Sequence, residues 1–343
     1  MKAAVVEAIS KISVLDVPTP EPKQYEALCE ILCGSTCSGT DNHLLEGRLP
    51  FPVHYPTILG HESIGRVVKL GQKAVNYRLG DIVTRVGAPD GLLPGLAANW
   101  GGFAEYGIAV DHRAMKDDGL DAAQWSRFRI NQVLPADIDV RAATMIITWR
   151  ETFSYISRLG IAPGDRVLIM GSGGNGLAFA SHARNLGAAT VVMAGNPGRE
   201  AMARKAGATL LVDYHEPDLA AAIRNAGVEQ VDRIIDSVGK KGQADRMLPL
   251  LKAGGTFGVY GVDELKAYAL NPMGGQGSFT VFNGGYEEGE AHDAVLQFMQ
   301  EGKLDASIWL DLDKAFSLDR ISDALRAVRE RKFVKALVVM KSP

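Results

Sequence analysis

The stretch GDRVLIMGSGGNGLAFASHARNLGA, residues 164–188, decides the fold. RVLIM is an apolar run of strand length, and a helical pattern follows Gly176. Between them stand Gly171, Gly173 and Gly176 in GxGxxG spacing, with Gly174 and Asn175 filling the turn. A bare glycine-rich turn would carry little information. A strand before and a helix after it form the setting that a dinucleotide-binding fingerprint requires, with glycines for the tight turn and close approach and a helix N-terminus at the pyrophosphate. Further apolar runs follow, ATVVMAG, TLLVDY, DRIIDSVG and GTFGVYG, separated by helical patterns such as PGREAMARKAG and GQADRMLPLLKAG. Strand and helix in alternation imply a parallel, doubly wound sheet.

The end of the second strand is where a carboxylate would meet both ribose hydroxyls of NAD, whereas a small residue with a nearby arginine accommodates the extra phosphate of NADP. MAGNPGREAMARK places Ala194, Gly195 and Asn196 there, with Arg199 close behind. The reading favours NADP over NAD. Arg199, like Arg204 and Lys205, also fits a solvated helix face.

Upstream, CEILCGSTCSGTDNHLLEG, residues 29–47, contains all three cysteines of the chain. ALCEIL reads as a strand, and Cys29 and Cys33 as small buried thiols on it. Cys37 lies beyond the strand in a loop rich in Gly, Ser and Thr, with Thr40, Asp41 and His43 following. A loop thiolate near a neutral imidazole suits zinc. A second donor stands in YPTILGHESIGRVVKLG, where His61 and Glu62 lie between a turn and a strand. His61 alone would more often be a hydrogen-bonded structural residue, and its pairing with Cys37 shifts that balance.

The remaining composition excludes other classes. A net charge of −3 without a basic stripe gives no footprint for nucleic acid, and no apolar run approaches the roughly 20 residues needed to cross a bilayer. The N-terminal MKAAVVEAISKISVLDV reads as alternating strand rather than as a signal segment, so the expected location is the cytoplasm, where disulfides are rare.

Taken in order, the cysteine loop, GHE, PGDRVLIMGSGGNG and the terminal FSLDRISDALRAVRERKFVKALVVM resemble the zinc-dependent medium-chain dehydrogenase family, in its alcohol, polyol and sugar branch. The resemblance implies an α/β chain with a GroES-like β-rich catalytic domain, residues 1–150 and 291–343, and a Rossmann-type domain, residues 151–290. It implies an enzyme that moves a hydride between a secondary alcohol (polyol, sugar or cyclitol) and NAD(P). It makes Cys37 and His61 zinc ligands, and Glu62 a direct ligand or a group behind the metal. In the family the ligand Cys is followed two and five residues later by a hydroxyl residue and a His. Here Thr40 and His43 come three and six later, which one inserted residue explains. Thr40 is then the hydroxyl that takes the substrate proton and His43 the outer end of the relay, while Asp41 is expected to be structural, bonding loop backbone.

Two departures from the family stand out. VGAPDGLLPGLAANWGGFAEY lacks the four cysteines of a structural zinc lobe, so one catalytic zinc and no structural zinc are expected. The third ligand position falls at Ile147, which cannot bind metal. Glu151 lies one helical turn further on, within ITWRETFSY, and is the candidate ligand, water-ordering or nicotinamide-facing group, unless a salt bridge with Arg150 or Arg158 explains it. Trp100, Asn99, His54 and Trp149 are candidates for shaping a pocket for a small hydroxylated substrate, and the two tryptophans equally suit the core. Relatives resemble dimers or tetramers, and the run SFTVFNGG is a candidate for pairing across subunits. A zinc-free quinone or enone reductase of the same superfamily and a noncatalytic NADP-binding protein are the rival readings.

Overall fold

The computed structural model describes residues 1–341. The chain divides into two compact units, Met1–Ile147 with the segment from Trp309 on, and Thr148–Ile308.

The first unit is β-rich. Its larger sheet runs in the order Ala315–Ser317, Leu337–Val339, Glu26–Ser35, Glu62–Leu70, Ile82–Thr84 and Val133–Leu134, with Tyr106–Val110 also paired to Glu26–Ser35. A second sheet joins Lys11–Asp16, Lys2–Ala8, Thr57–Ile58 and Ala97–Ala98. Both draw on one buried core that includes Val5, Ile31, Ile58, Phe103, Leu325 and Val338. Two features of this unit position the site. Antiparallel pairing sets Ser35 opposite Glu62 and Leu337 opposite Ser35, so three adjacent strands end together beside the cysteine loop. The loop then turns into a short helix, Thr40–Glu46, closed by Gly47 at φ 68°.

Glu26–Ser35 is the strand expected from ALCEIL, but two register shifts, at Leu28/Cys29 and Ile31/Cys33, interrupt its alternation. Cys29 and Cys33 are nonetheless buried, Cys29 in the core and Cys33 with its Sγ 3.1 Å from the Val140 carbonyl.

The second unit is a six-stranded, all-parallel sheet in the order Leu210–Asp213, Thr190–Gly195, Arg166–Met170, Val231–Asp236, Leu251–Val259 and Thr280–Phe282. The order reverses direction next to Arg166–Met170, and the crevice beyond the carboxyl ends at such a switch point is where open α/β sheets bind ligands. The helical pattern read in GQADRMLPLLKAG is shorter than expected. It is α-helix only over Gln243–Met247, a 3-10 turn over Leu248–Leu250 continues it, and Leu251 already begins the next strand.

The chain leaves this unit at Trp309 rather than at residue 291. Side chains hold the intervening segment in place: the fully buried Arg150 pairs with Glu288 and lies 3.2 Å from His292 Nδ1, and Glu290 accepts from Ser154 and Arg158.

Candidate metal centre and nucleotide site

Three metal-donor side chains converge in the first unit. One donor atom each from Cys37, His61 and Glu62 lies within 4.8 Å of the other two. Strand pairing places Glu62, and the loop between Ser35 and the helix Thr40–Glu46 places Cys37. Asp41, in the first turn of that helix, does two jobs. Its Oδ2 accepts the Cys37 backbone N–H at 2.8 Å, and its Oδ1 lies 3.6 Å from His61 Nδ1. The first contact is the loop-bonding role read from the sequence. The second sets a carboxylate behind the imidazole, beyond hydrogen-bond distance of Nδ1, while Nε2 lies 3.7 Å from Glu62 Oε1.

The fourth member of the cluster is one the motifs did not reveal. Lys335 is almost fully buried, and its Nζ lies 2.6 Å from both Glu62 oxygens and 3.2 Å from the Thr36 carbonyl. Ser35 Oγ donates to Glu62 Oε2 at 2.5 Å. The signal was present in KFVKALVVM, a charge inside an apolar strand run, which is costly without a partner.

Electrostatics separate the three cysteines. Burial pushes the Cys29 and Cys33 thiols up to about 12, with the Asp139 charge adding to the effect at Cys33. At Cys37 burial also pushes upward, but the Lys335 ammonium and His61 outweigh it and hold the thiol below its ordinary value, against Glu62. For His61, burial disfavours the charged ring, yet Asp41 and Cys37 raise it well above 6.5. Burial likewise works against the Lys335 ammonium, and Glu62 and Cys37 hold its value up. A cysteine held below its ordinary value beside a histidine, with buried counter-charges around both, is a donor set suited to zinc.

Of the relay residues, Thr40 Oγ1 lies 3.7 Å from Cys37 Sγ. His43, expected at the outer end, is buried, so that end of the proposed relay is enclosed by protein. Trp100 has its ring 5.2 Å from that of His61, whereas Asn99 is tied to Thr57 and His54 is exposed. Trp149 is fully buried in the second unit, so of its two readings the structure supports core packing. In that same unit Glu151 is buried, with the Tyr260 hydroxyl 3.5 Å from Oε2.

The glycine loop has the geometry its spacing implied. Gly171 sits at φ +100°, and a Cβ on Gly176 would fall 1.9 Å from the Gly171 carbonyl, so neither position tolerates a side chain. A Cβ on Gly173 would meet nothing within 4 Å. It caps the helix Gly174–Asn185, whose first turn has no side-chain cap. Asn175 lies in the first turn of that helix, whose N-terminus carries the positive end of the helix dipole. At the far end Ala194 is buried in its strand, Asn196 N–H donates to Ser172 Oγ at 2.9 Å, and Arg199 Nη1 donates to the Ser172 carbonyl at 2.7 Å. Gly195 is crowded by Ser172, with 2.7 Å left for a Cβ.

Comparison with known proteins agrees with both halves. Residues 23–117 match the family described as "Alcohol dehydrogenase GroES-like domain", and residues 174–300 match "Zinc-binding dehydrogenase". The chain is 27% identical to L-galactonate-5-dehydrogenase of Escherichia coli over 321 residues, 93% of each chain. It is 24% identical to the sorbitol dehydrogenase of Bacillus subtilis over 342 residues, 97% of this chain and 94% of that one. A Sinorhizobium meliloti protein, assigned as a zinc-binding dehydrogenase and solved bound to NADP, superposes with a TM-score of 0.80 at 26% identity over 99% of both chains. Among the described residues no helix is long and apolar enough to cross a membrane.

Proposed function

This chain belongs to the medium-chain dehydrogenase family, in its zinc-type alcohol and polyol branch, and on that premise we propose that it oxidises a secondary alcohol of a polyol, sugar or cyclitol with NADP in preference to NAD, using one zinc ion. The observation that carries the reading is the Cys37, His61 and Glu62 cluster, with Cys37 disposed towards the thiolate. A zinc-free reductase has no use for this donor set, and a noncatalytic nucleotide binder has no use for the first unit's buried charges.

Cys37 and His61 hold the metal, with Glu62 and Glu151 as the candidate carboxylates. Zinc bound there supplies Lewis acidity that lowers the pKa of an alcohol, and NADP supplies the two-electron acceptor. The chain's own residues do the rest. Asp41 stands behind His61, and Lys335 balances the charge of Glu62. Thr40 takes the hydroxyl proton as the alcohol carbon gives up its hydride, and His43 follows Thr40 in the relay. The products are a ketone, NADPH and one proton. The N-terminus of Gly174–Asn185 receives the pyrophosphate, and Arg199 receives the 2′-phosphate.

The reading is tested by elemental analysis together with a panel of polyols, aldoses and cyclitols scored by reduction of either cofactor. One zinc per chain and NADP-linked turnover are expected. Two zincs, or no turnover across the panel, would refute it. Glu151→Gln should lower zinc affinity at least about tenfold if its carboxylate is a ligand, and should leave zinc content intact while altering the pH dependence of turnover if it orders water. The working unit is a homodimer or homotetramer.

A further inference from the structure

The helix Ile321–Arg329 buries Ile321, Ala324 and Val328 in the core of the first unit and carries a second stripe beside them. Ser322, Leu325, Arg326 and Arg329 stand at i, i+3, i+4 and i+7, which places them along one face. The short helix Thr40–Glu46 offers a matching stripe of Asn42, Leu45 and Glu46, at i, i+3 and i+4. These two stripes and the turn between Lys2–Ala8 and Lys11–Asp16 enclose a groove of about 330 Å³, the lower end of the range for small-molecule sites. The turn is pinned to the helix: Ser10 N–H donates to the Leu45 carbonyl at 2.7 Å, and Ser10 is held at φ 63°. The groove lies wholly in the first unit, and none of Cys37, His61 and Glu62 lines it.

Its charged lining is three cations, Lys11, Arg326 and Arg329, against one carboxylate, Glu46. Glu46 is already paired with Arg48, and Lys11 with Glu7 at 2.7 Å. Arg326 has only a share in Asp323, which Arg320 also holds. Among the described residues no acid forms an ion pair with Arg329, and the neighbouring Glu330 pairs with Lys332 at 2.7 Å. Two guanidiniums three residues apart on a helix repel each other, and an anion between them relieves that repulsion. A carboxylate has two oxygens and satisfies one guanidinium fork, whereas a phosphate has enough oxygens for both. The remaining lining divides into hydrogen-bonding groups, the Ser10 and Ser322 hydroxyls, and an apolar surface made by Ile12, Leu45 and Leu325. We propose that this groove binds a small organic phosphate, its phosphate between Arg326 and Arg329 and its apolar part against Ile12, Leu45 and Leu325.

The test is calorimetric titration of the full chain at low ionic strength in a buffer free of phosphate, after saturation with NADP so that the phosphate sites of the second unit are filled. Phenyl phosphate is the probe, with inorganic phosphate beside it. Phenyl phosphate should bind once per chain and at least about tenfold more tightly than inorganic phosphate, which has nothing to lay on the apolar surface. Arg326→Gln combined with Arg329→Gln should weaken its binding at least about tenfold, because charge-assisted bonds to phosphate are lost. Lys332→Gln, just beyond the same helix but outside the groove, should change it by no more than about twofold, as a screened surface charge does. Glu46→Gln removes the one carboxylate from the lining and should tighten binding. Failure of phenyl phosphate to bind at millimolar concentration, or binding that the arginine substitutions leave unchanged, overturns the proposal. Inorganic phosphate binding as tightly as phenyl phosphate overturns the assignment to an organic phosphate.

Discussion

Cys37 differs from its two neighbours through its surroundings more than its sequence spacing. Cys33→Ser replaces a thiol that only packs and faces a carbonyl, whereas Cys37→Ser removes the thiol that Lys335 and His61 hold below its ordinary value. Zinc content and turnover should fall together in Cys37→Ser and survive in Cys33→Ser, by elemental analysis of both purified variants. Equal loss in the two would mean that Cys33 also binds metal. The same charges set a pH dependence. His61 is raised well above 6.5, so in the metal-free chain its imidazolium contributes stability that is fully present below 6.5 and is lost as pH rises through the folded value. Zinc requires the neutral ring and must displace that proton, so apparent affinity should climb with pH until the folded value is passed and then level off. Calorimetric zinc titrations near neutrality, in buffers of different ionisation enthalpy, should show a net release of protons on binding. Zinc uptake without proton release would mean that the ring is already neutral.

Local chemistry made some elements readable and hid others. The glycine loop was legible because two of its glycines answer a steric demand, a positive φ at Gly171 and a 1.9 Å clash at Gly176, whereas Gly173 has open space around it. Cys37, His61 and Glu62 were legible as metal-donor types near turns. Lys335 was not, because its role comes from pairing between strands distant in sequence, Leu337–Val339 against Glu26–Ser35 and the latter against Glu62–Leu70. The turn after Thr190–Gly195 shows the same limit. From sequence, Ala194, Gly195 and Asn196 look equivalent as places for a carboxylate. The structure distinguishes them: Ala194 is core, a side chain on Gly195 would strike Ser172, and only Asn196 has room, its Oδ1 accepting from Gly198 N–H at 2.9 Å. Asn196→Asp keeps that bond, adds an acceptor for ribose hydroxyls and repels a 2′-phosphate, so the ratio of kcat/KM for NADP over NAD should fall by about tenfold or more. An unaltered enzyme that already prefers NAD strongly would make this reading of Arg199 wrong.

At the scale of the whole molecule, the second unit leaves an edge unfinished. Thr280–Phe282 pairs on one side with Leu251–Val259 and ends the six-stranded order, so among the described residues no strand pairs with its outer side. The surrounding segment is unusually apolar for a surface. Val281 is 51% exposed and Met273 87%, and Leu265 and Tyr286 are also exposed. Natural edges are usually protected by charge, proline or a covering element, and this strand carries neither a charge nor a proline. A second copy of the chain offers the same strand, and a two-fold axis through such an edge closes the contact on itself. The expected particle therefore has twice the 36.8 kDa chain mass, or four times if two such pairs associate. Val281→Lys places an ammonium on each side of that axis without touching the nucleotide cradle or the metal cluster. Light scattering after size exclusion should show the variant reduced to the chain mass, with zinc content retained. A wild-type protein already at the chain mass, or a variant that stays assembled, would show that this edge is not the contact.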